Sequence, residues 1–551
     1  MSTLVDRLRM DEPRQPGWTP RRTDSLCPQC LTVVPAELDS QDGKIFMYKS
    51  CPEHGRFREL ISDDVDFFMR LERLAATIDP AEPRAREDVA ADGTGPLAQA
   101  GTCPMNCGIC PEHRSQAMMI NIDLTNRCNL RCPICFANSD ATGYVFEVTR
   151  EQVREMMLRA LRTNDPRPPC IQFAGGEPTL HPDLVEILSE ARELGFPQIQ
   201  VASNGIRFAR EPDSARACAD AGLNIVYLQF DGLSEDVYRQ TRGARLVDLK
   251  SRAIDSIYQV GMRTCLVPTI VKGLNDKEIG PILRFAVQNT RQILAISWQP
   301  VAFTGRIDER QRMSQRFTLT DLAHCIEQQT GLVEMHRDWY PYSFVEPFSQ
   351  LMEAITGERP VRPSCHAHCG MATYLVVNAR TREAATIPQM VDVEPMMKEI
   401  GRLAAAIKRQ AWRGNRWYLS LAWRRLRKFF RAEAAVTGWD FNELANFMAS
   451  FVDFGSRYPD NEARRRELEG TEAHALLLQG MHFQDAYNFE LDRVRRCVVH
   501  YAAPDGRMYP FCTYNCGPVF RNRVEQQFAR LRATGRASPG QSTLLPCPSS
   551  P

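Results

Sequence analysis

From Met118 to about Trp298 short apolar runs alternate with longer amphipathic stretches: AMMINIDLT, EQVREMMLRALRT, IQFAGGE, PDLVEILSEARELG, QIQVASNG, a cysteine-containing helix and NIVYLQFDG. That rhythm predicts repeated β-α units on a parallel sheet. CLVPTI and AISWQPV bring the strands to about six, enough for an α/β fold with an open, partial parallel (β/α)6 barrel over residues 118–303. In such folds the chemistry gathers at the carboxyl ends of the strands. After Phe303 the pattern turns mostly helical, with QRFTLTDLAHCIEQQ opening on a Thr cap, so residues 304–535 are expected to form a helical C-terminal domain.

Ahead of the barrel, IFMYKS reads as a strand leading into CPEHG, the outline of a small metal knuckle over residues 26–78 that would not fold without its ion. Residues 79–101, rich in Ala, Pro, Asp and Gly, read as a linker, and 102–117 as a short cysteine segment. Residues 1–25 and 536–551 lack periodicity and are expected to be disordered.

The 551 residues, 43% of them apolar, suit a soluble protein of several units. With 68 Lys plus Arg against 67 Asp plus Glu, overall charge gives no reason to expect a nucleic-acid partner. No secretory leader is visible and no apolar run approaches the roughly 20 residues of a membrane span, which points to the cytoplasm with at most peripheral contact at the inner membrane face. The 19 cysteines are odd in number and clustered at short gaps, as metal ligands are and disulfide frameworks are not.

The sharpest cluster is Cys128-Asn-Leu-Arg-Cys132-Pro-Ile-Cys135, directly after the first barrel strand. Three thiolates on one loop can hold three irons of a 4Fe-4S cluster and leave the fourth iron open; a zinc loop with a distant fourth ligand is the competing reading. At the end of the second strand stand Gly175, Gly176, Glu177 and Pro178, where paired glycines let backbone approach a ligand. Ser203 and Asn204 close the third strand, Gln229 and Asp231 the fourth, each placed to reach a bound ligand or simply to make a turn.

Cys103, Cys107 and Cys110 repeat the gaps of the first loop and suggest an auxiliary iron-sulfur cluster, with His113 a possible fourth ligand. Cys365, Cys369, Cys497 and Cys512 form a later set, with Cys516 in reserve, and buried structural cysteines are its alternative. Cys27, Cys30, Cys51 and His54 have the spacing of a closed tetrahedral site for zinc or a single iron. Cys170, Cys218, Cys265 and Cys325 read as buried small hydrophobes, and Cys547 as a bystander.

The CxxxCxxC loop after the first strand resembles the hallmark of the radical S-adenosylmethionine (SAM) superfamily, over roughly residues 118–300. The resemblance implies that the open iron chelates SAM, that one electron cleaves its S–C5′ bond, and that a 5′-deoxyadenosyl radical takes hydrogen from an unactivated carbon. It implies that GGEP meets the SAM amino group; Ile134 stands where many members carry an aromatic beside the adenine. The order CPQC, CPEHG, CPMNCGICPEH, TNRCNLRCPICFA, GGEPT, VYLQFDG, PTIVKGLND and FCTYN is similar to that of the archaeal tetraether lipid synthases and of their relatives that methylate a pterin precursor, over nearly all of residues 25–520. That likeness implies a mononuclear metal site beside the radical cluster, with one or two auxiliary 4Fe-4S clusters.

Residues 408–431 carry nine Lys or Arg and no acid, with tryptophans and phenylalanines between them. They read either as an amphipathic helix on an anionic lipid surface or as a basic helix packed with its aromatics inward. The leading expectation is therefore radical C–H activation on a lipid chain, with carbon–carbon coupling, served by a low-potential electron donor. The alternatives are a radical C-methyltransferase for a pterin or other heterocycle, favoured by a polar, aromatic-lined barrel mouth, and a non-catalytic electron carrier. No general acid or base is expected.

Overall fold

The computed structural model describes residues 18–75, 103–110, 112–409, 422–450 and 461–531. The expected linker, the C-terminal tail with Cys547, and residues 410–421 of the basic stretch lie outside these.

The first unit is an antiparallel meander of β1 (Arg21–Leu26), β2 (Val33–Gln41), β3 (Lys44–Cys51) and β4 (Gly55–Ser62). Its apolar positions Ala36, Leu38, Ile45 and Met47 pack on Phe68 and Val65 of the helix Val65–Leu74. Asp64 caps that helix by accepting from the Phe67 N–H at 2.7 Å. The expected disorder up to residue 25 does not extend over residues 18–25. Trp18 is buried edge-on against Phe68, and β1 is in register with β2 from Arg21 onward. Alternating RRTDSL lacks an apolar run of its own and becomes a strand only because β2 pairs with it.

The barrel follows: β5 (Met119–Thr125), the short β6 (Tyr144–Val145), β7 (Cys170–Gly175), β8 (Gln198–Ser203), β9 (Ile225–Gln229), β10 (Arg263–Val267), β11 (Thr269–Ile270) and β12 (Ile293–Pro300). Six of these run parallel in the order β5-β7-β8-β9-β10-β12, the six strands the sequence predicts. Alternation divides the faces. Ile120, Ile122, Ile171, Phe173, Ile199 and Val201 lie in the dry core under the helices, while the alternate positions, Asn121, Asp123, Gln172 and Gln200, turn polar groups to the lumen.

The C-terminal region is mostly helical, as expected, but it also completes the sheet. Its strands are β13 (Tyr340–Pro341), β14 (Gly370–Asn378), β15 (Ala384–Thr386), β16 (Ala473–Met481), β17 (Val499–Ala502), β18 (Met508–Pro510) and β19 (Arg530–Leu531). At one edge β16 pairs parallel with β12 and antiparallel with β14; at the other β17 pairs parallel with β5. Among the described residues both edges of the barrel sheet are thus covered by further strands.

Buried charges tie the N-terminal unit to the C-terminal region. Arg316, 2% exposed, donates to Glu59 of β4 at 2.6 Å and to Asp485 at 2.7 Å. Lys49 of β3 donates to the carbonyls of Leu26 and Ala486, each at 2.7 Å. Among the described residues of the basic stretch, Ala422 and Leu426 are buried in a second core with Trp439 and Phe441, and Phe429 and Phe430 pack against it. Trp423 stays 38% exposed, with the Arg427 guanidinium over its ring. Residues 422–430 therefore turn most of their apolar side chains inward. No helix among the described residues is long and apolar enough to cross a membrane.

Candidate active site and metal centres

The strand ends and the loop after β5 enclose a cavity of about 220 Å³. Cys128, Cys132 and Cys135 all line it, together with Ile134, Gly175, Gly176, Glu177, Ser203, Asn204 and Gln229. The cysteine loop is held from several sides. Asp140 N–H donates to Asn126 O at 3.0 Å, and Arg306 donates to Ser139 O at 2.7 Å. Burial pushes the Cys128 thiol up to about 12 and raises Cys132. Against burial, the Ser139 backbone and the Arg306 and Arg242 guanidinium groups hold Cys135 below the usual thiol range. Those cations favour thiolate, the form that binds iron.

The paired glycines serve close approach, and what they approach is the cysteine loop. Gly176 N–H donates to Thr125 O at 2.6 Å and Glu177 N–H to Arg127 O at 2.8 Å. A Cβ on Gly175, whose φ is +122°, would stand 2.3 Å from Thr125 O, and one on Gly176 2.2 Å from Arg127 O. Side chains at either position would push the loop away. The Glu177 carboxylate is 1% exposed and occupied by its own chain, accepting from the Thr179 and Ser203 hydroxyls at 2.6 and 2.8 Å and from Asn204 N–H at 2.8 Å. Its work is to join the ends of β7 and β8. Asn204 in turn donates to Asn129 of the cysteine loop at 2.6 Å.

Two expected ligand-facing residues are absent from the lining. Pro178 is buried in a turn of 3-10 helix behind the wall. Asp231, fully buried, holds the Arg242 guanidinium (Nη2 to Oδ1, 2.9 Å), because a carboxylate in a dry site needs a cation. Arg242 then donates to Ile134 O at 2.8 Å, inside the cysteine loop. Beside it Lys250, 1% exposed, donates to Asn204 O at 2.6 Å and Gln229 Oε1 at 2.9 Å, and burial brings it down to about 7. Sequence reading missed Arg242, Lys250 and Arg306, since a charge on a helix or loop ordinarily marks a solvated face.

The C-terminal region adds to the barrel's own wall: Phe136 of the cysteine loop is joined by Phe483, Tyr501, Phe511, Cys516 and Arg521. Phe483 and Phe511 stack at 3.8 Å, and Arg521 lies 5.4 Å over Tyr501. Arg521 is 3% exposed, paired with Asp123 and near Glu525. Cys516, held in reserve as a cluster ligand, is thus a cavity residue.

In the N-terminal unit the ligand atoms of Cys27, Cys30, Cys51 and His54 all lie within 4.8 Å of one another. The Cys30 and Cys51 sulfurs are 3.8 Å apart, and His54 Nδ1 stands 3.7 Å from Cys27 Sγ and 3.5 Å from Cys51 Sγ. A tetrahedron with metal–sulfur bonds of about 2.3 Å has edges of roughly 3.8 Å, so this donor set fits one zinc or iron ion. Among the described residues this is the only group of three or more such side chains gathered around a single point; a cubane spreads its ligands more widely. Cys107, Cys512 and Cys516 share one buried cluster, with Cys103 and Cys497 packed against it, and Thr513 Oγ1 lies 3.6 Å from Cys107 Sγ. Arg493 lies beside Cys369 and Cys512. The first auxiliary segment therefore packs on the late FCTYN run. His113 turns its Nε2 to Cys497 O and to His500 Nε2, each at 3.0 Å. Cys170, Cys218 and Cys265 are buried in strands and a helix, and Cys325 is half-buried.

A parallel barrel with a three-cysteine loop at the mouth of its first strand defines a radical SAM enzyme, and residues 122–286 match the radical SAM superfamily. Residues 19–63 match the HMPTM N-terminal zinc ribbon domain. Over 512 residues, 92% of this chain and 96% of the relative, the sequence is 36% identical to the 7,8-dihydro-6-hydroxymethylpterin dimethyltransferase of Methanocaldococcus jannaschii, and the chain belongs to that family. The GTP 3′,8-cyclase of Listeria monocytogenes is 31% identical over 194 residues, 34% of this chain and 55% of that one. Among solved structures, Streptococcus suis SuiB bound to the precursor peptide SuiA aligns with a TM-score of 0.32 at 17% identity, covering 39% of this chain and 46% of that one. Of the two branches the sequence resembles, this relative, matched over 92% of the chain, stands on the pterin side.

Proposed function

We propose that this radical SAM enzyme is a C-methyltransferase acting on a planar heterocycle of the pterin class, rather than on the lipid chain the sequence first suggested. The observation that carries the reading is the wall of the cavity: Phe136, Phe483, Tyr501 and Phe511 with Arg521, on the same cavity as Cys128, Cys132 and Cys135. Flat aromatic faces with a cation beside them suit a flat, electron-rich ring. The relative from Methanocaldococcus jannaschii bears the name of a pterin dimethyltransferase, which supports the same choice.

The cysteine loop would hold the 4Fe-4S cluster, with Ser203, Asn204 and Gln229 beside SAM; when bound, the two supply a one-electron route to hydrogen abstraction from an unactivated carbon. What the chain contributes is placement and dryness. Lys250 fixes Asn204 and Gln229, Arg242 fixes Ile134, and the aromatic wall excludes water from the reacting carbon. The methyl carbon would come from a reduced one-carbon donor, and a low-potential carrier would deliver the electrons. In this reading the sets around Cys103 and Cys369 hold auxiliary clusters.

One observation favours a second, lipid-directed reading: Trp423 is exposed on a helix whose Arg424, Arg425 and Lys428 also face solvent. The two part in one assay. Reconstituted enzyme with SAM, reductant and a one-carbon donor is given 6-hydroxymethyl-7,8-dihydropterin or a membrane lipid extract, and products are analysed by mass spectrometry. Methylated pterin supports the proposal; lipid coupling with unchanged pterin overturns it.

A further inference from the structure

Below the cavity the barrel lumen is plugged by apolar side chains. Ile225 of β9, Cys265 of β10 and Ala295 of β12 form one buried cluster, and the Tyr227 ring packs on it. Above that plug three polar residues stand in a chain. Val226 and Leu228 of β9, and Ile296 and Trp298 of β12, lie in the outer core, so the alternate positions Tyr227, Ser297 and Gln299 turn inward. The Tyr227 hydroxyl donates to Ser297 Oγ at 2.7 Å and accepts from Gln299 Nε2 at 3.1 Å. Ser297 is fully buried, whereas Tyr227 and Gln299 both line the cavity shared by the cysteine loop and the aromatic faces. Gln299 also lies close to those faces along the chain: β12 pairs with β16 as far as Trp298, and β16 ends at Met481, just ahead of Phe483.

This chain fixes which way the Gln299 amide faces. A phenol has one proton, and with that proton on Ser297 the Tyr227 oxygen takes the amide N–H and turns the carbonyl away. Among the described residues the bond to Tyr227 is the one hydrogen bond of the Gln299 side chain. Its Oε1 is not among the unpartnered oxygens shut off from space, so it opens on the cavity that Gln299 lines. Around it the wall is apolar, with Val267, Pro300, Val301 and Ala302. An acceptor held in one sense among apolar groups selects a ligand that brings a donor. We propose that Gln299 is a specificity-determining residue whose Oε1 accepts from an N–H on the edge of the substrate ring, with Tyr227 and Ser297 as the positioning residues that orient its amide. The inference rests on the heterocycle reading above and deepens it: the ring must carry an N–H donor, as a lactam or an amino-substituted ring does, and a ring of the same outline without one forgoes the contact.

The test measures binding to the reconstituted full chain with SAM and no reductant, by isothermal titration calorimetry of two probes. One is 6-hydroxymethylpterin, which carries ring and exocyclic N–H groups; the other is 2-hydroxymethylquinoxaline, which keeps the two-ring outline and the pyrazine but has no N–H. The wild-type chain should bind the pterin at least about tenfold more tightly. Gln299→Met keeps the length of the side chain and removes the acceptor. It should weaken pterin binding about tenfold and leave the quinoxaline within roughly twofold, whereas a mere loss of packing would weaken both probes alike. Tyr227→Phe keeps Oε1 but frees the amide to turn, so it should weaken pterin binding about threefold and add nothing to Gln299→Met in the double variant. The wild-type comparison and Tyr227→Phe carry the test even where Gln299→Met does not fold. Equal binding of both probes by the wild type, or a Gln299→Met chain that binds the pterin unchanged or loses both probes equally, overturns the assignment and leaves the heterocycle reading in place. Binding of neither probe by a wild-type chain whose clusters are filled overturns the heterocycle reading itself.

Discussion

Asp231 follows the fourth strand where a carboxylate could meet a bound sugar, yet in the fold it never reaches the cavity. Sequence gives the strand end, and only packing gives the partner, Arg242, which arrives from a helix a few residues on. Removing one member of a buried pair strands the other, at a cost of about 3–5 kcal/mol. Asp231→Ala should lower unfolding stability by that order in denaturant titration, and loosen iron binding at the cysteine loop through Ile134; unchanged stability and iron content would count against the clamp. The glycines give a sharper prediction. A methyl at position 176 would meet the Arg127 carbonyl at 2.2 Å, so Gly176→Ala should cut radical-cluster occupancy, read as iron content and low-temperature EPR, while Ala174→Gly should not. Asp123 and Glu525 share one cation, Arg521. Burial, and behind it the Asp123 charge, carries the Glu525 carboxyl up to about 7 despite Arg521. A folded pKa above the unfolded one means the native state binds the extra proton, so this group's contribution falls as pH rises from about 4.5 to 7. Glu525→Gln should therefore stabilise the protein at pH 8 by on the order of 2–3 kcal/mol and change little at pH 4; equal effects at both pH values would contradict the assignment.

At the scale of elements, the six parallel strands and the cysteine loop were legible because apolar runs and ligand spacing are local signals. ALLLQG and YLVVN escaped as sheet members because a strand amid helices shows its role only once its neighbour exists. The C-terminal residues on the cavity wall, Phe483, Tyr501, Phe511 and Arg521, stand about 350 to 390 positions from the cysteine loop, and no spacing in the chain announces the encounter. The N-terminal ribbon was legible in its ligands and misplaced at its start, since β1 depends on β2. Its hydrophobic cluster is small, so the metal must carry much of its stability. Cys51→Ser should release the bound metal and expose residues 18–75 to limited proteolysis, while the helices of the barrel keep their circular dichroism. A ribbon equally resistant after metal loss would show that docking through Lys49 and Glu59 suffices.

Across the whole molecule, the barrel and the C-terminal region converge on one cavity, and the ribbon braces the C-terminal side from outside it. The ribbon contacts Arg316 and the Asp485 loop, that loop follows Phe483, and β17 and the helix bearing Arg521 lean on β5. The barrel alone would present cysteines to an open mouth; the C-terminal region closes it with aromatic faces and a cation. The proposed activity requires that the cysteine loop be a site of SAM cleavage and that the cavity above it accept a heterocycle. The most direct measurement is 5′-deoxyadenosine formed by the anaerobically reconstituted chain with SAM and a strong reductant, with and without 6-hydroxymethyl-7,8-dihydropterin. We expect formation that rises with the pterin and disappears in Cys128→Ala, Cys132→Ala and Cys135→Ala, each of which keeps its auxiliary iron. Formation that persists in those variants, or that never occurs with filled clusters and pterin present, would contradict it.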